Sequence, residues 1–225
     1  MLLQLPLLAQ AIALASLLLV AAYPFMKRIT WWPQAWLGLT FNWGLLVGWA
    51  ALAGANWAVP IAVYLGCVLW TIGYDTIYAL QDREDDAMVG IRSSALRMGG
   101  KVKQGVAACY AGAVGLWAVG FWLLREDWVG WLTLVPVAWH FAWQVVTLDE
   151  NDPDNPLARF RSNRWAGFLL AGSEELSAED ENLDVPAAKS RLWLSRVLTS
   201  RLLVGGPDFE CSVPNPALME PDCRL

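Results

Sequence analysis

Five carboxylates fall within residues 74–99, YDTIYALQDREDDAMVGIRSSALRMG: Asp75, Asp82, Glu84, Asp85 and Asp86. They follow one long apolar run and precede another. Acids at the edge of a membrane-length helix are costly and point to a use. If residues 74–86 continue as helix, each step turns by about 100°. With Asp75 at zero, Asp82 falls near about 340° and Asp86 near about 20°. These three then share a stripe with Tyr78 at its edge, while Glu84 points away and Asp85 lies to one flank. Aligned carboxylates suit a hard cation such as Mg2+, which commonly bridges acids to substrate phosphates. The bland alternative is a solvated acidic loop capped by Arg83, Arg92 and Arg97.

The elements that carry this stretch are apolar. Of the 225 residues, 56% are hydrophobic and 15 are Trp, and the apolar residues come in blocks rather than in the scattered pattern of a soluble core. Membrane-length runs fall at residues 2–22, 35–53, 60–79, 104–124 and 129–148. Pro6 either kinks the first run or caps its start. That first run lacks a basic leader, and its length reads as a membrane span rather than a signal peptide. A further apolar run, 165–172, stops too early to cross a bilayer, and residues 149–164 read as a loop rich in Pro and Asn. The expected fold class is therefore all-α, a polytopic transmembrane helical bundle in residues 1–172. Residues 173–225, beginning GSEELSAEDENLD, have the composition of a disordered acidic tail and carry the whole net charge of −5. Within them 192–204 forms at most a weak amphipathic helix. The abrupt change at Gly172 resembles a discontinuity in reading frame or gene model.

Five spans alternate sides, so the connections test orientation. One side collects Lys27, Arg28, Arg83, Arg92, Arg97, Lys101, Lys103, Arg159, Arg161 and Arg164; the other has Arg125 alone. That bias places the acidic stretch and the Lys27/Arg28 pair on the cytoplasmic face, or the matrix face in a mitochondrion. Trp31, Trp32, Trp57, Trp128 and Trp131, near span ends, fit an interfacial belt, a reading extended to most of the Trp content. No basic patch suggests nucleic acid. Cys67 and Cys109 lie in apolar runs, Cys211 and Cys223 in the tail, and no spacing resembles a zinc site or a disulfide framework. His140 reads as a hydrogen-bonded interior His. Asn42 and Gln144 either line a cavity or bond between helices. Tyr23 and Lys27 stand at i and i+4. A cationic pair and an acidic stripe on one face suit an anionic phosphate ligand, with ordinary membrane-flanking charge as the alternative for Lys27 and Arg28.

The segment YDTIYALQDREDD followed by GIRSSA resembles the second Asp-rich motif of UbiA-type intramembrane prenyltransferases, and within them the 4-hydroxybenzoate polyprenyltransferases of ubiquinone synthesis. YPFMKR resembles that family's Tyr-x-x-x-Lys segment, and ARFRSNRWAG its lead-in to the last helix. The three occur in family order across residues 1–172. The resemblance implies a bundle of about nine spans with a cavity open to lipid. Two Asp-rich motifs there bind Mg2+ and the diphosphate of a polyprenyl donor. Ionisation leaves an allylic cation, which the acceptor ring captures ortho to its hydroxyl. It implies Asp75, Asp82 and Asp86 as second-motif acids, with Asp85 adjacent as a fourth metal ligand. Lys27, Tyr23, Tyr78, Arg83 and Arg92 would lie near diphosphate or acceptor, and Arg28 would take the acceptor carboxylate. The implied partners are polyprenyl diphosphate, 4-hydroxybenzoate and the lipid bilayer, in a bacterial or mitochondrial inner membrane.

One part of the family pattern is missing. The first motif, N-D-x-x-D-x-x-x-D, has no counterpart; Asn151-Asp152-Pro153-Asp154 lacks the spacing. The expectation is that this motif lies N-terminal to Met1, that the chain is the C-terminal part of the enzyme, and that alone it has little or no transferase activity. Other readings stay open: a superfamily member with a naphthoate, homogentisate or haem acceptor, a carrier or divalent-cation channel, or a fragment that only inserts and packs.

Overall fold

The computed structural model describes residues 2–52, 56–125 and 128–178. Among these the regular structure is helix, with no strand, as expected of an all-α membrane bundle. In chain order the helices are α1 (Leu7–Ile29), α2 (Pro33–Asn42), α3 (Gly44–Ala51), α4 (Ala58–Tyr78), α5 (Arg83–Val89), α6 (Ser94–Met98), α7 (Val102–Arg125), α8 (Val129–Leu132), α9 (Val135–Thr147) and α10 (Asn155–Ala178). Short 3-10 turns stand at Leu2–Gln4 and Gly99–Lys101.

Leu7–Met26, Ala58–Tyr78 and Ser94–Leu124 are each long and apolar enough to cross a membrane. The other two expected spans are each built from two helices. The second breaks between α2 and α3 at Trp43, just before Gly44, and the fifth between α8 and α9, just before Pro136. Pro6 caps the start of α1, one of its two expected roles.

The centre of the bundle is the α4–α7 pair. Lipid is as apolar as Leu, so helices associate there by close packing rather than by hydrophobic exclusion, and small residues permit the approach. A Cβ on Gly66 would stand 2.6 Å from the Trp117 ring, and one on Gly73 would stand 2.5 Å from the Tyr110 ring. Each glycine of α4 thus receives an aromatic ring of α7. On the other flank of α4, Gly38 of α2 sits against Val68, and the buried Asn42 amide donates to Thr71 Oγ1 at 3.0 Å. α10 packs on α4 and α9, and α9 packs on α7. α1 presents Leu7, Leu14, Leu17 and Leu18 outward.

Tryptophan does more here than mark an interface. Trp31, Trp32, Trp128 and Trp131 are exposed, as a belt requires, but Trp49 and Trp117 are buried. The indole N–H of Trp36 donates to Leu19 O and that of Trp43 to Ile12 O, both at 2.8 Å, and these bonds tie α1 to α2 and α3. Trp70 likewise donates to Asn163 Oδ1, and Trp131 to Ala118 O. An indole N–H in apolar surroundings has no water to donate to, so these four bridge helices instead, while the buried Trp49 Nε1 has no partner among the described residues. The belt reading therefore covers only part of the Trp content.

Two local expectations change. The polar segment 149–164 is not a loop throughout: α10 starts at Asn155 and runs 24 residues to Ala178, across Gly172. Asn155-Pro156 marks a helix start, because proline is tolerated in the first turn, where its missing N–H is not needed. Asn155 also ties back, with its amide donating to Thr147 O and its Oδ1 accepting from Asp149 N. Second, residues 74–86 are not one helix. α4 stops at Tyr78, a turn covers 79–82, and α5 starts at Arg83. The tail after Ala178, including the expected disorder and stretch 192–204, lies outside the described residues.

Candidate functional site

Asp75 occupies the last turn of α4, half-buried, and its backbone carbonyl accepts from Ala79 N at 2.9 Å. Beside it, the hydroxyls of Thr76 and Ser94 share a 2.7 Å hydrogen bond, and Ser94 N donates to Gln34 Oε1 at 3.4 Å. All three side chains are buried. They lock α2, α4 and α6 together at the end of the bundle that carries the acids. On the α10 side, the Phe160 ring sits 5.8 Å from Tyr74 and 5.0 Å from Tyr78. Asp75 is thereby held on a rigid helix end. That end also carries the negative pole of the α4 dipole, which favours a cation.

The other acids are placed differently, because the helix breaks after Tyr78. Asp82 is exposed and stands at the N-cap of α5; Asp85 is exposed and Asp86 half-buried in its first turn. The stripe derived from an unbroken helix therefore does not form. Glu84, Asp85 and Asp86 also have a structural role, since acids in a first turn complement the positive helix end. α5 closes at Gly90, whose φ of 76° is in the left-handed region that glycine adopts without strain.

The basic candidates gather at the same end. Arg92 Nη1 donates to Ile29 O at 2.7 Å, and its guanidinium lies 5.4 Å from the Trp31 ring centre. It thus caps the last turn of α1, which carries Lys27 and Arg28, and ties that helix end to the acidic connection. Arg83 reaches Glu150 at 3.8 Å across to the α9–α10 connection. The basic residues expected in three connections lie instead on the end of α1, on residues 83–103 and on the start of α10, and the bonds from Arg92 and Arg83 bring these segments to one end. Tyr23 is half-buried and Arg28 exposed, both on α1; the Lys27 backbone belongs to α1, and its side chain lies outside the described residues. Tyr78 is exposed beside Phe160.

UbiA-family prenyltransferases generally depend on a divalent metal. Among the described residues no three His, Cys, Asp or Glu side chains converge to hold one. Asp75, Asp82, Asp85 and Asp86 are spread over a helix end, a turn and a second helix, so by themselves they do not make a closed metal site. Asp149 and Asp152 serve their own loop, accepting from the backbone N–H groups of Asn151 and Asp154.

A second polar cluster joins α7, α9 and α10. Tyr110 OH donates to the fully buried Gln144 at 2.7 Å, and the Gln144 amide reaches His140 Nε2, Ser162 Oγ and Arg159 O. His140 Nε2 also lies 3.1 Å from Ser162 O. His140 is hydrogen-bonded as expected but half-buried rather than interior, and both Asn42 and Gln144 bond between helices. Sequence reasoning missed Gln34, Thr76, Ser94 and Phe160. A polar Gln or Ser beside an apolar run is itself a signal in a membrane chain; Phe160 carried none, because its contact is set by how α10 lies on α4.

The sequence profile of the UbiA prenyltransferase family matches residues 1–169. The chain is 42% identical over 171 residues to a protein of Caenorhabditis elegans named 4-hydroxybenzoate polyprenyltransferase, mitochondrial, covering 75% of this chain and 48% of that one. Proteins of the same name are 40% identical in Arabidopsis thaliana, over 75% of this chain and 42% of the relative, and 42% identical in Homo sapiens, over 71% and 43%. The chain thus spans less than half the length of these curated relatives. No solved structure matches it. With the family profile covering three-quarters of its length, this helical membrane chain belongs to the UbiA prenyltransferase family.

Proposed function

We propose that the chain supplies the second acidic half of a 4-hydroxybenzoate polyprenyltransferase site, serving ubiquinone synthesis in a bacterial or mitochondrial inner membrane with the acids facing cytoplasm or matrix. The observation that carries this reading is the Arg92–Ile29 hydrogen bond, which ties the last turn of α1, with Lys27 and Arg28, to the acidic connection. Cations and carboxylates thereby share one end of the bundle, as a metal–diphosphate ligand requires. The names of the relatives support the acceptor and donor.

On this reading Lys27, Arg83 and Arg92 take the diphosphate oxygens. Arg83 is more available than Arg92, since its ion pair with Glu150 is long and partly exposed. The allylic C–O bond breaks, and its electron pair leaves on the diphosphate. The acceptor ring then attacks from the carbon ortho to its hydroxyl and loses that carbon's proton to restore aromaticity. Tyr23 and Tyr78 line the path, and Arg28 pairs with the acceptor carboxylate. Mg2+ is the proposed ion, because the candidate ligands Asp75, Asp82, Asp85 and Asp86 all offer hard oxygen donors.

The test is a hybrid in which residues 1–172 replace the aligned segment of the C. elegans relative. Membranes carrying it are expected to join labelled 4-hydroxybenzoate to a polyprenyl chain. Asp75→Asn is expected to lower that rate by about a hundredfold or more, since an electrostatic contact to a transferring group is worth several kcal/mol. A folded hybrid that makes no product, or whose rate ignores Asp75→Asn, removes the reading.

A further inference from the structure

An open groove of about 420 Å³ lies between α9 and α10, lined by Trp139, His140, Trp143, Ser162 and Trp165. It belongs to none of the machinery above. Its three indoles are unusually open for so large an apolar surface: Trp139 is 77% exposed and Trp165 is 55% exposed. The polar atoms of its floor are used internally, with His140 Nε2 facing Ser162 O and the Gln144 amide. The groove itself thus offers a ligand apolar walls and little hydrogen bonding.

Its rim is cationic. The Arg159 guanidinium lies 4.2 Å from the centre of the Trp143 ring, and that of Arg164 lies 5.4 Å from the Trp165 ring. Arg159 Nε is buried with no hydrogen-bond partner. Among the described residues neither Arg159 nor Arg164 has a carboxylate partner, and no acid lines the groove. A buried, unpaired guanidinium nitrogen is expensive and is normally satisfied by an anion.

Depth argues for the kind of anion. α9 ends at Thr147 and α10 starts at Asn155, both at the end where Arg83 meets Glu150. At 1.5 Å per residue, Arg159 and Trp143 lie about 6 Å from those helix ends, with Trp139, Arg164 and Trp165 about 12–15 Å in. That is the order of groups met on descending one membrane leaflet, from headgroup phosphate to upper acyl chain. Basic pockets between spans on the cytoplasmic or matrix side suit anionic lipid headgroups.

We propose that the α9–α10 groove binds one anionic phospholipid, its phosphate on Arg159 and an acyl chain laid against Trp143, Trp139 and Trp165. The lipid neutralises the Arg159 guanidinium and seals the seam where α10 lies on α9.

The experiment is native mass spectrometry of the full chain, released from micelles containing phosphatidylglycerol and phosphatidylcholine with identical acyl chains. The chain is expected to retain one phosphatidylglycerol, preferred by about tenfold or more, as a charge-assisted Arg contact allows. Arg159→Gln is expected to bring the preference within about twofold. Arg161→Gln, an equal charge change at an exposed position of the same helix, is expected to leave it intact. Equal retention of both lipids, or a preference that survives Arg159→Gln, overturns the proposal. Should that variant not fold, a photoactivatable phosphatidylglycerol on the unchanged chain decides. Labelling within residues 139–143 and 162–165 supports the site, and labelling confined elsewhere overturns it. Displacement of the retained lipid by geranyl diphosphate also overturns it, since the groove would then take the prenyl donor.

Discussion

The α4–α7 pair and the connection at residues 79–93 lie next to each other and are built on opposite principles. The pair is closed by glycines that receive aromatic rings: Gly66 takes Trp117 and Gly73 takes Tyr110. Tyr110 is itself fixed, stacked at 4.2 Å on Phe141 and bonded to Gln144. The connection is largely exposed, and single polar contacts tie it and its continuation in Ser94 down: Arg92 to Ile29, Arg83 to Glu150, Ser94 to Thr76. Asp75 belongs to the first region and Asp82, Asp85 and Asp86 to the second. One acid is thus held by a scaffold, and the others by a segment that a bound ligand can draw in at little cost.

The sharpest way to break this contrast is Gly73→Val. Its Cβ would meet a Tyr110 ring that cannot turn aside, and overpacking of this kind costs about 1–3 kcal/mol. A large fall in the thermal midpoint of the detergent-solubilised chain is expected, and an unchanged midpoint would mean that α4 and α7 are not close-packed. Gln144→Leu ranks next. It removes the Gln144 acceptor of the buried Tyr110 OH, with an expected loss of about 1–3 kcal/mol in the same melt. Gly90→Ala, in the connection, meets no neighbour but must hold φ at 76°, so about 1 kcal/mol is expected. That loss should show as faster amide exchange in α5 with the global melt nearly unmoved. Arg83→Gln should move stability least, by under about 1 kcal/mol, because the pair with Glu150 is long and partly exposed. In the hybrid enzyme it should nonetheless raise KM for the prenyl diphosphate. If Arg83→Gln destabilises the chain while leaving KM alone, the connection is scaffold and the contrast fails.

Much of this was legible in the residues. Apolar blocks of membrane length announce helices, because a backbone in lipid must satisfy its own hydrogen bonds. The clustering of Lys and Arg at alternate ends of the apolar runs indicated which ends lie together, and the bonds from Arg92 and Arg83 join those ends. Less legible were the breaks. Trp43-Gly44 and Leu134–Pro136 divide stretches that read as continuous, since composition registers how apolar a stretch is and not where its helix interrupts. Residues 149–164 looked like loop because Pro and Asn favour both loops and helix starts.

The sequence by itself determined the helical membrane class, the acids near one bundle end, the basic residues beside them and the family. These rest on local properties: hydropathy, charge and the wording of a motif. Only the tertiary structure decided that the helix ends at Tyr78, so that Asp75 and Asp86 do not share a stripe. It alone decided that Arg92 caps α1, that Gln34 and Ser94 brace the Asp75 turn, and that Arg159 and Arg164 flank a Trp-lined groove. Each of these depends on which helix faces which, and that choice is made by close packing between residues far apart in the chain.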